Sequence, residues 1–363
     1  MTANMRSMLA LAMTLVRYAS SLTPPPPSRI TRHVVRGREI LVKRDDQYRL
    51  THAYGGGVSG NKARKLYGFA AEGPGDRVAA VASLGGHQSN ALPSLAALCR
   101  ARGLPFVYLC KPVPRWLRHT PAGNYARALA LGVELVPLKA ADYRRCVEDA
   151  RFRGAVLRDA ADAAGVPEDG AIRFVPQGGA CGDAEVGVSM LADELAAELA
   201  GDAAVVVPGG TGTTALFLAR RLADVAPGVA VHVVPCATSA AELERQMNSL
   251  DGRTGGDGTL PAVLPAPAGG RFGAPAARDL ELWRELADAG LHVDLVYAPR
   301  AWDALLAALD GAALAGRDVC YVHCGGVEGV ATQLNRYRHA GLLDASSDAD
   351  PWRRDVPAAG TSS

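Results

Sequence analysis

The chain has 363 residues, of which 48% are apolar, and its 39 Lys and Arg against 37 Asp and Glu leave a net charge of +2. At about 100–200 residues per domain, that length allows two domains or one large one, with ample material for a core. The near-balance of charge argues against nucleic-acid or anionic-membrane partners, and 40 glycines beside 6% aromatics exclude a collagen or a coiled coil.

In chain order, the run Met8–Val16 is apolar but much shorter than the roughly 20 residues that span a bilayer. Ala19-Ser20-Ser21 loosely resembles a signal cleavage site, but Arg17 interrupts the run and Pro24–Pro27 follows, so residues 1–27 read as an N-terminal extension. From Ile40 onward, short β-like runs alternate with Ala/Leu-rich helical stretches. The expected strands are Ile40–Val42, Val78–Ser83, Phe106–Cys110, Val133–Pro137, Ile172–Val175, Ala204–Val207, Val231–Pro235, Val293–Tyr297 and Val319–Cys324. Between them lie helical patterns over Ser89–Arg102, Tyr143–Ala164, Ala184–Leu199, Thr213–Leu222, Arg278–Ala289 and Trp302–Leu314. Continuously apolar strands alternating with helices predict an α/β fold with mainly parallel sheets covered on both faces. The Gly/Pro-rich stretch Gly252–Gly273 reads as a long loop over a site, and residues 341–363 as a flexible tail.

The seven cysteines (Cys99, Cys110, Cys146, Cys181, Cys236, Cys320 and Cys324) are scattered and odd in number, which points to free thiols in a reducing cytoplasm. Strand alternation would turn Cys320 and Cys324 to one face with His323 between them, but two thiols and one imidazole do not close a zinc site, so no metal is expected.

Three segments carry chemistry. Val205–Thr214 (VVVPGGTGTT) runs from an apolar strand into a Gly/Thr loop that opens a helix, an arrangement whose backbone N–H groups cradle anions. It has neither the lysine of a Walker loop nor the GxGxxG spacing, and an ordinary tight βα turn is the plain alternative. In Ser59–Leu66 (SGNKARKL), Lys62 ahead of a helix suits Schiff-base chemistry, since only an amine condenses with a carbonyl; alone, it would read as a solvated lysine. Ser83–Asn90 (SLGGHQSN) is again strand, glycine turn and helix, with Ser89 placed to cap the helix or to hold a carboxylate.

Together and in this order, these segments resemble the pyridoxal-phosphate enzymes of the aminocyclopropane-carboxylate deaminase and D-cysteine desulfhydrase family, of the tryptophan-synthase-β-like fold. Leu41–Asp46, Val175–Gly179, Leu295–Tyr297 and Val322–Gly326 match as well, so the likeness spans roughly residues 28–340. The resemblance implies two three-layer domains: a large cofactor-binding one from 28–62 and 171–340, and a small one from 63–170 inserted within it. It implies that Lys62 bonds the pyridoxal 5'-phosphate, with Lys65 a cation nearby. Asn90 would hydrogen-bond the cofactor's phenolic oxygen, and Gly210, Thr211, Gly212, Thr213 and Thr214 would hold its phosphate. Gln88 and Ser89 would hold the substrate carboxylate, Tyr297 would be an acid/base near the reacting carbon, and the protein would be a homodimer acting on a small amino acid.

Two departures matter. Where ring-opening members of that family carry an acidic residue after the matched tyrosine, this chain has Ala298, and a threonine of the later turn is Cys324. A carboxylate there keeps the pyridine nitrogen protonated; alanine cannot, and a thiol is a weak partner. The expected activity is therefore α,β-elimination, as in D-cysteine desulfhydrase, releasing ammonia and a 2-oxo acid. β-Replacement, cyclopropane ring opening and a non-catalytic cofactor-binding role are the alternatives. A hydrolase built on Ser89 and His87 lacks an acidic orienter and a nucleophile elbow.

Overall fold

The computed structural model describes residues 24–50, 57–73, 75, 77–199, 201–252, 260–266 and 269–344. The Met8–Val16 run, most of the expected extension, and the expected tail beyond 344 lie outside the described residues. The first strands, β1 (Ile30–Val35) and β2 (Arg38–Lys43), form an antiparallel hairpin turned over Arg36 and Gly37, both with positive φ, as the two-residue hairpin twist requires. Then follow β3 (Val78–Gly85), β4 (Phe106–Cys110), β5 (Glu134–Pro137), β6 (Ala171–Val175), β7 (Ala203–Gly209), β8 (Ala230–Pro235), β9 (Ala262–Val263) and β10 (Asp318–Val322).

They assemble into two sheets: β1-β2-β10-β7-β8-β9, parallel but for the first hairpin, and β5-β4-β3-β6, wholly parallel. This is the α/β, mainly parallel, tryptophan-synthase-β-like arrangement expected from the sequence. Strand β7 explains its own composition. Ala204 and Val206 pack with Trp283 and Trp302 on one face, and Val205 and Val207 with Leu191 and Leu216 on the other. A strand buried on both faces has no polar side to show.

Four details differ from the expectation. Strand β6 pairs with β3 in the four-stranded sheet, so the chain leaves that sheet after Val175 rather than at residue 171. Val293–Tyr297 is no strand, because the Asp294 carboxylate accepts the N–H groups of Val296 (2.9 Å), Tyr297 (2.6 Å) and Ala298 (3.3 Å) and folds the segment into a turn before the helix Ala298–Ala308. The helical pattern Tyr143–Ala164 breaks at Asp149, whose side chain caps the second piece through the N–H groups of Arg151 and Phe152. Finally, β10 ends at Val322, so Cys324 lies in the following turn and strand alternation does not relate it to Cys320.

Candidate active site

A single cavity of about 710 Å3, within the size range of small-molecule sites, gathers the candidate binding and catalytic residues Lys62, Gln88, Ser89, Asn90, Gly210, Thr211, Gly212, Thr213, Thr214, Tyr297 and Cys324, whereas Ala298 is not among its lining residues. It lies where β3 and β7 end, as ligand sites in parallel sheets do.

Beyond β7, three residues lead into the helix Thr213–Val225. Gly212 takes φ +71° there, and a Cβ on it would collide with Met247, so only glycine fits. The first turn of that helix has N–H groups with no intrahelical partner, facing the cavity beside the Thr211 and Thr213 hydroxyls, which lie 2.8 Å apart. Across from them, the Lys65 ammonium donates to Thr211 Oγ1 and to the Gly178 carbonyl, both at 3.3 Å. Burial and the neighbouring Lys62 hold Lys65 well below the ordinary lysine pKa. Thr214 donates to Asn61 Oδ1 at 2.8 Å, tying the loop to the lysine-bearing segment.

That segment is the short helix Gly60–Lys65. Lys62 and Lys65, three apart, share its cavity side. Gly60 sits at φ +64° against the Cys324 carbonyl, 2.5 Å from where its Cβ would be, and the same carbonyl accepts the Asn61 N–H at 2.9 Å. Behind the helix, fully buried Arg64 pairs with Asp45 and Glu194 at 2.9 and 2.8 Å and lies 3.4 Å above the Tyr48 ring. Burial also lowers the Lys62 pKa, with a smaller opposing effect from Cys324, and pushes the Cys324 thiol up to about 12.

At the end of β3, the buried Asn124 organises the Gln88–Asn90 turn. Its side-chain amide donates to Asn90 Oδ1 (2.6 Å) and the Gln88 carbonyl (3.1 Å), and its backbone N–H to Gln88 Oε1 (3.0 Å). Asn90 thus keeps its Nδ2 donor for a ligand oxygen. The Gln88 amide donates to the Ala122 carbonyl at 3.0 Å, so much of its capacity goes to bracketing that turn rather than to a ligand. Ser89 Oγ accepts the Ala91 N–H at 3.3 Å just ahead of the helix Ala91–Ala101, but the N-cap position belongs to Asn90, so Ser89 is not the cap expected of it. Burial lowers the His87 pKa, so this imidazole is neutral near pH 7.

On the opposite wall, Tyr297 meets Phe272 edge-on at 5.0 Å between ring centres, and burial raises its phenol pKa. Phe272 and Gly273 are the part of the expected covering loop that reaches the cavity; residues 253–259 and 267–268 lie outside the described residues. Sequence reading missed Asn124, Asp294, Phe272 and the cavity-lining Arg127 and Arg336. Buried Asn124 carried no motif, and Asp294 was hidden inside an apolar run.

The residues present fit a phosphate-bearing aldehyde. Lys65 is a buried cation beside an anion cradle, and a phosphate there would supply the counter-charge that offsets its desolvation. Lys62 offers an amine easily deprotonated, and Asn90 a free donor.

The comparisons agree. The model of the family described as pyridoxal-phosphate dependent enzyme matches residues 26–325. No curated protein matches. Among solved structures, an ACC deaminase homologue is similar at 19% identity and TM-score 0.66, covering 91% of this chain and 98% of its own. The processed form of threonine deaminase isoform 2 from Solanum lycopersicum is similar at 13% and 0.56, covering 92% and 89%. O-acetyl serine sulfhydrylase isoform 3 from Entamoeba histolytica is similar at 15% and 0.54, covering 89% and 90%. At these identities the structures speak to the fold alone, whereas the family model spans most of the chain. With its lysine-bearing helix, its anion cradle and that match, the chain belongs to the pyridoxal-phosphate dependent enzymes.

Proposed function

We propose that this enzyme is a lyase that removes a β-substituent from a small amino acid, in the manner of D-cysteine desulfhydrase, releasing ammonia and a 2-oxo acid. The observation that carries this reading is the absence of an available carboxylate where ring-opening enzymes need one. Ala298 is fully buried and apolar, the Asp294 carboxylate is engaged by three backbone N–H groups, and Cys324 stays a neutral thiol. Elimination asks less of the ring, since the leaving group carries the electrons away.

Bound pyridoxal phosphate supplies an aldehyde for the substrate amine and an electron sink at the α-carbon. Ser89 and the N–H groups at the start of Ala91–Ala101 orient the substrate carboxylate. The Lys62 amine, whose pKa burial lowers, takes the α-proton at Nζ. Tyr297, kept protonated by burial, donates to the departing group. Thr211, Thr213, Thr214 and the loop glycines hold the phosphate, and Lys65 balances its charge. A homodimer in a reducing cytoplasm belongs to the same reading. No helix among the described residues is long and apolar enough to cross a membrane.

The test is a panel of D- and L-amino acids with β-leaving groups, scored for ammonia and 2-oxo acid. Stoichiometric release of both supports the reading. Racemisation or β-replacement without net ammonia would overturn it.

A further inference from the structure

We infer that the cavity contains a second anion subsite, formed by Arg127 and Arg336, and that the substrate is an amino acid whose side chain ends in an acidic group, a carboxylate or a phosphoryl ester. The inference rests on the reading above that an amino acid binds here.

Among the described residues, four cationic side chains line the cavity (Lys62, Lys65, Arg127 and Arg336) against two carboxylates, Asp294 and Glu328. Most of these have a task. Lys65 faces the phosphate cradle and Lys62 bears the reactive amine, while Asp294 accepts three backbone N–H groups and Glu328 accepts the Ser59 hydroxyl at 3.0 Å. The two arginines do not. Among the described residues, Arg127 reaches only the Gly57 carbonyl at 3.4 Å, and Arg336 only Gln333, three residues back on its own helix, at 3.3 Å. Neither forms an ion pair among the described residues, whereas the buried Arg64 is fully engaged.

Their placement relates them to the carboxylate end of the site. A Cβ on Gly123 would lie 2.8 Å from Gln88 Oε1 and 2.6 Å from Thr332 Cγ2, so the starts of the helices Gly123–Ala130 and Val330–His339 meet beside Gln88. Arg127 lies four residues beyond Gly123, and Arg336 four beyond Thr332. Each is just over one helical turn, about 6 Å, further on along the same face. Arg336 also borders Gly273, next to the Phe272 ring that packs on Tyr297, where the β-substituent would depart. Ser89 and the two guanidinium groups line the same cavity, so a substrate carboxylate at Ser89 shares that space with both arginines. These bind planar or tetrahedral oxyanions through paired N–H donors.

The test is a visible-absorbance titration of the purified holoenzyme, backed by calorimetry, with alanine and serine against aspartate and O-phosphoserine. Acidic ligands should bind at least about tenfold more tightly than their neutral counterparts, as expected of charge-assisted contacts. Arg127→Gln and Arg336→Gln should each shrink that ratio, and the lysine variants should retain part of it. Preference for aspartate or for O-phosphoserine identifies the anion as a carboxylate or a phosphoryl group. Neutral amino acids that bind as well as acidic ones, or a ratio unchanged in both glutamine variants, would overturn the subsite while leaving the lyase reading standing. A holoenzyme whose spectrum responds to no amino acid would overturn both.

Discussion

Replacing Arg64 with methionine tests whether the lysine-bearing helix is held by charge from behind. The guanidinium is wholly buried, forked onto Glu194 by two bonds of 2.8 Å and bonded to Asp45 at 2.9 Å. Glu194 would keep Lys43 at 3.1 Å, so the loss falls chiefly on Asp45, whose own exposure is nil. Stripping one partner from a buried ionic network costs about 3–5 kcal/mol, a large share of the roughly 5–15 kcal/mol that holds a protein folded. The melting temperature should fall by on the order of 10 °C. Burial already raises the Asp45 pKa despite Arg64, and removing Arg64 raises it further. A raised carboxyl pKa means the native state holds its proton more tightly than the unfolded chain. The deficit relative to wild type is then smallest at low pH and grows as pH climbs through the native Asp45 value. Calorimetric unfolding of both proteins between pH 5 and pH 8 reads this, and Arg64→Met combined with Asp45→Asn should recover part of the loss. A single variant within about 1 kcal/mol of wild type, or a deficit flat across pH, would refute the reasoning.

Other substitutions probe the cavity side. Lys62→Ala should abolish the visible absorbance of the lysine-bound cofactor and its irreversible attachment by borohydride, as absorbance and mass spectrometry would record. Lys65, whose pKa is lowered by burial and by Lys62, should release its proton in the native state below the ordinary value of 10.5. Between its native pKa and 10.5 the unfolded chain binds the extra proton, so apoprotein stability should rise with pH relative to Lys65→Met. Inorganic phosphate should raise the melting temperature of the wild type more than that of this variant. Gly60→Ala places a Cβ 2.5 Å from the Cys324 carbonyl at a positive φ, which should cost on the order of 1–3 kcal/mol and weaken cofactor retention in equilibrium dialysis.

What the sequence made legible is what local chemistry dictates. The apolar run of β7 ending in Gly209-Gly210-Thr211-Gly212 announced both a doubly covered strand and an anion cradle, because each property depends on neighbours in the chain. Lys65 came into view only through the family resemblance, as a cation near Lys62. Asn124 did not come into view, since its importance lies in contacts with Gln88 and Asn90 more than thirty residues away. Asp294 was misread for a different reason: one acid in an apolar run looks like a strand interrupted, and only its three backbone acceptor bonds reveal a turn. The β6 boundary failed likewise, because which sheet a strand joins is a long-range matter that its own residues do not encode.

The six residues from Gly60 to Lys65 carry a contradiction that the rest of the molecule resolves. Two lysines on one face of a buried helix repel each other and lose hydration, so the segment is unfavourable in isolation. Three contacts oppose that cost from different directions: Arg64 locked to acids behind it, Gly60 fitted against the Cys324 backbone in front, and Asn61 bonded to Thr214 beside the cradle. None of the three neutralises a lysine. The remaining term is an anion at the Thr211–Thr214 loop, so occupation of the cradle should steady this helix as well as hold the ligand. On the proposed reading, folding of this segment and cofactor binding are coupled through the same charges.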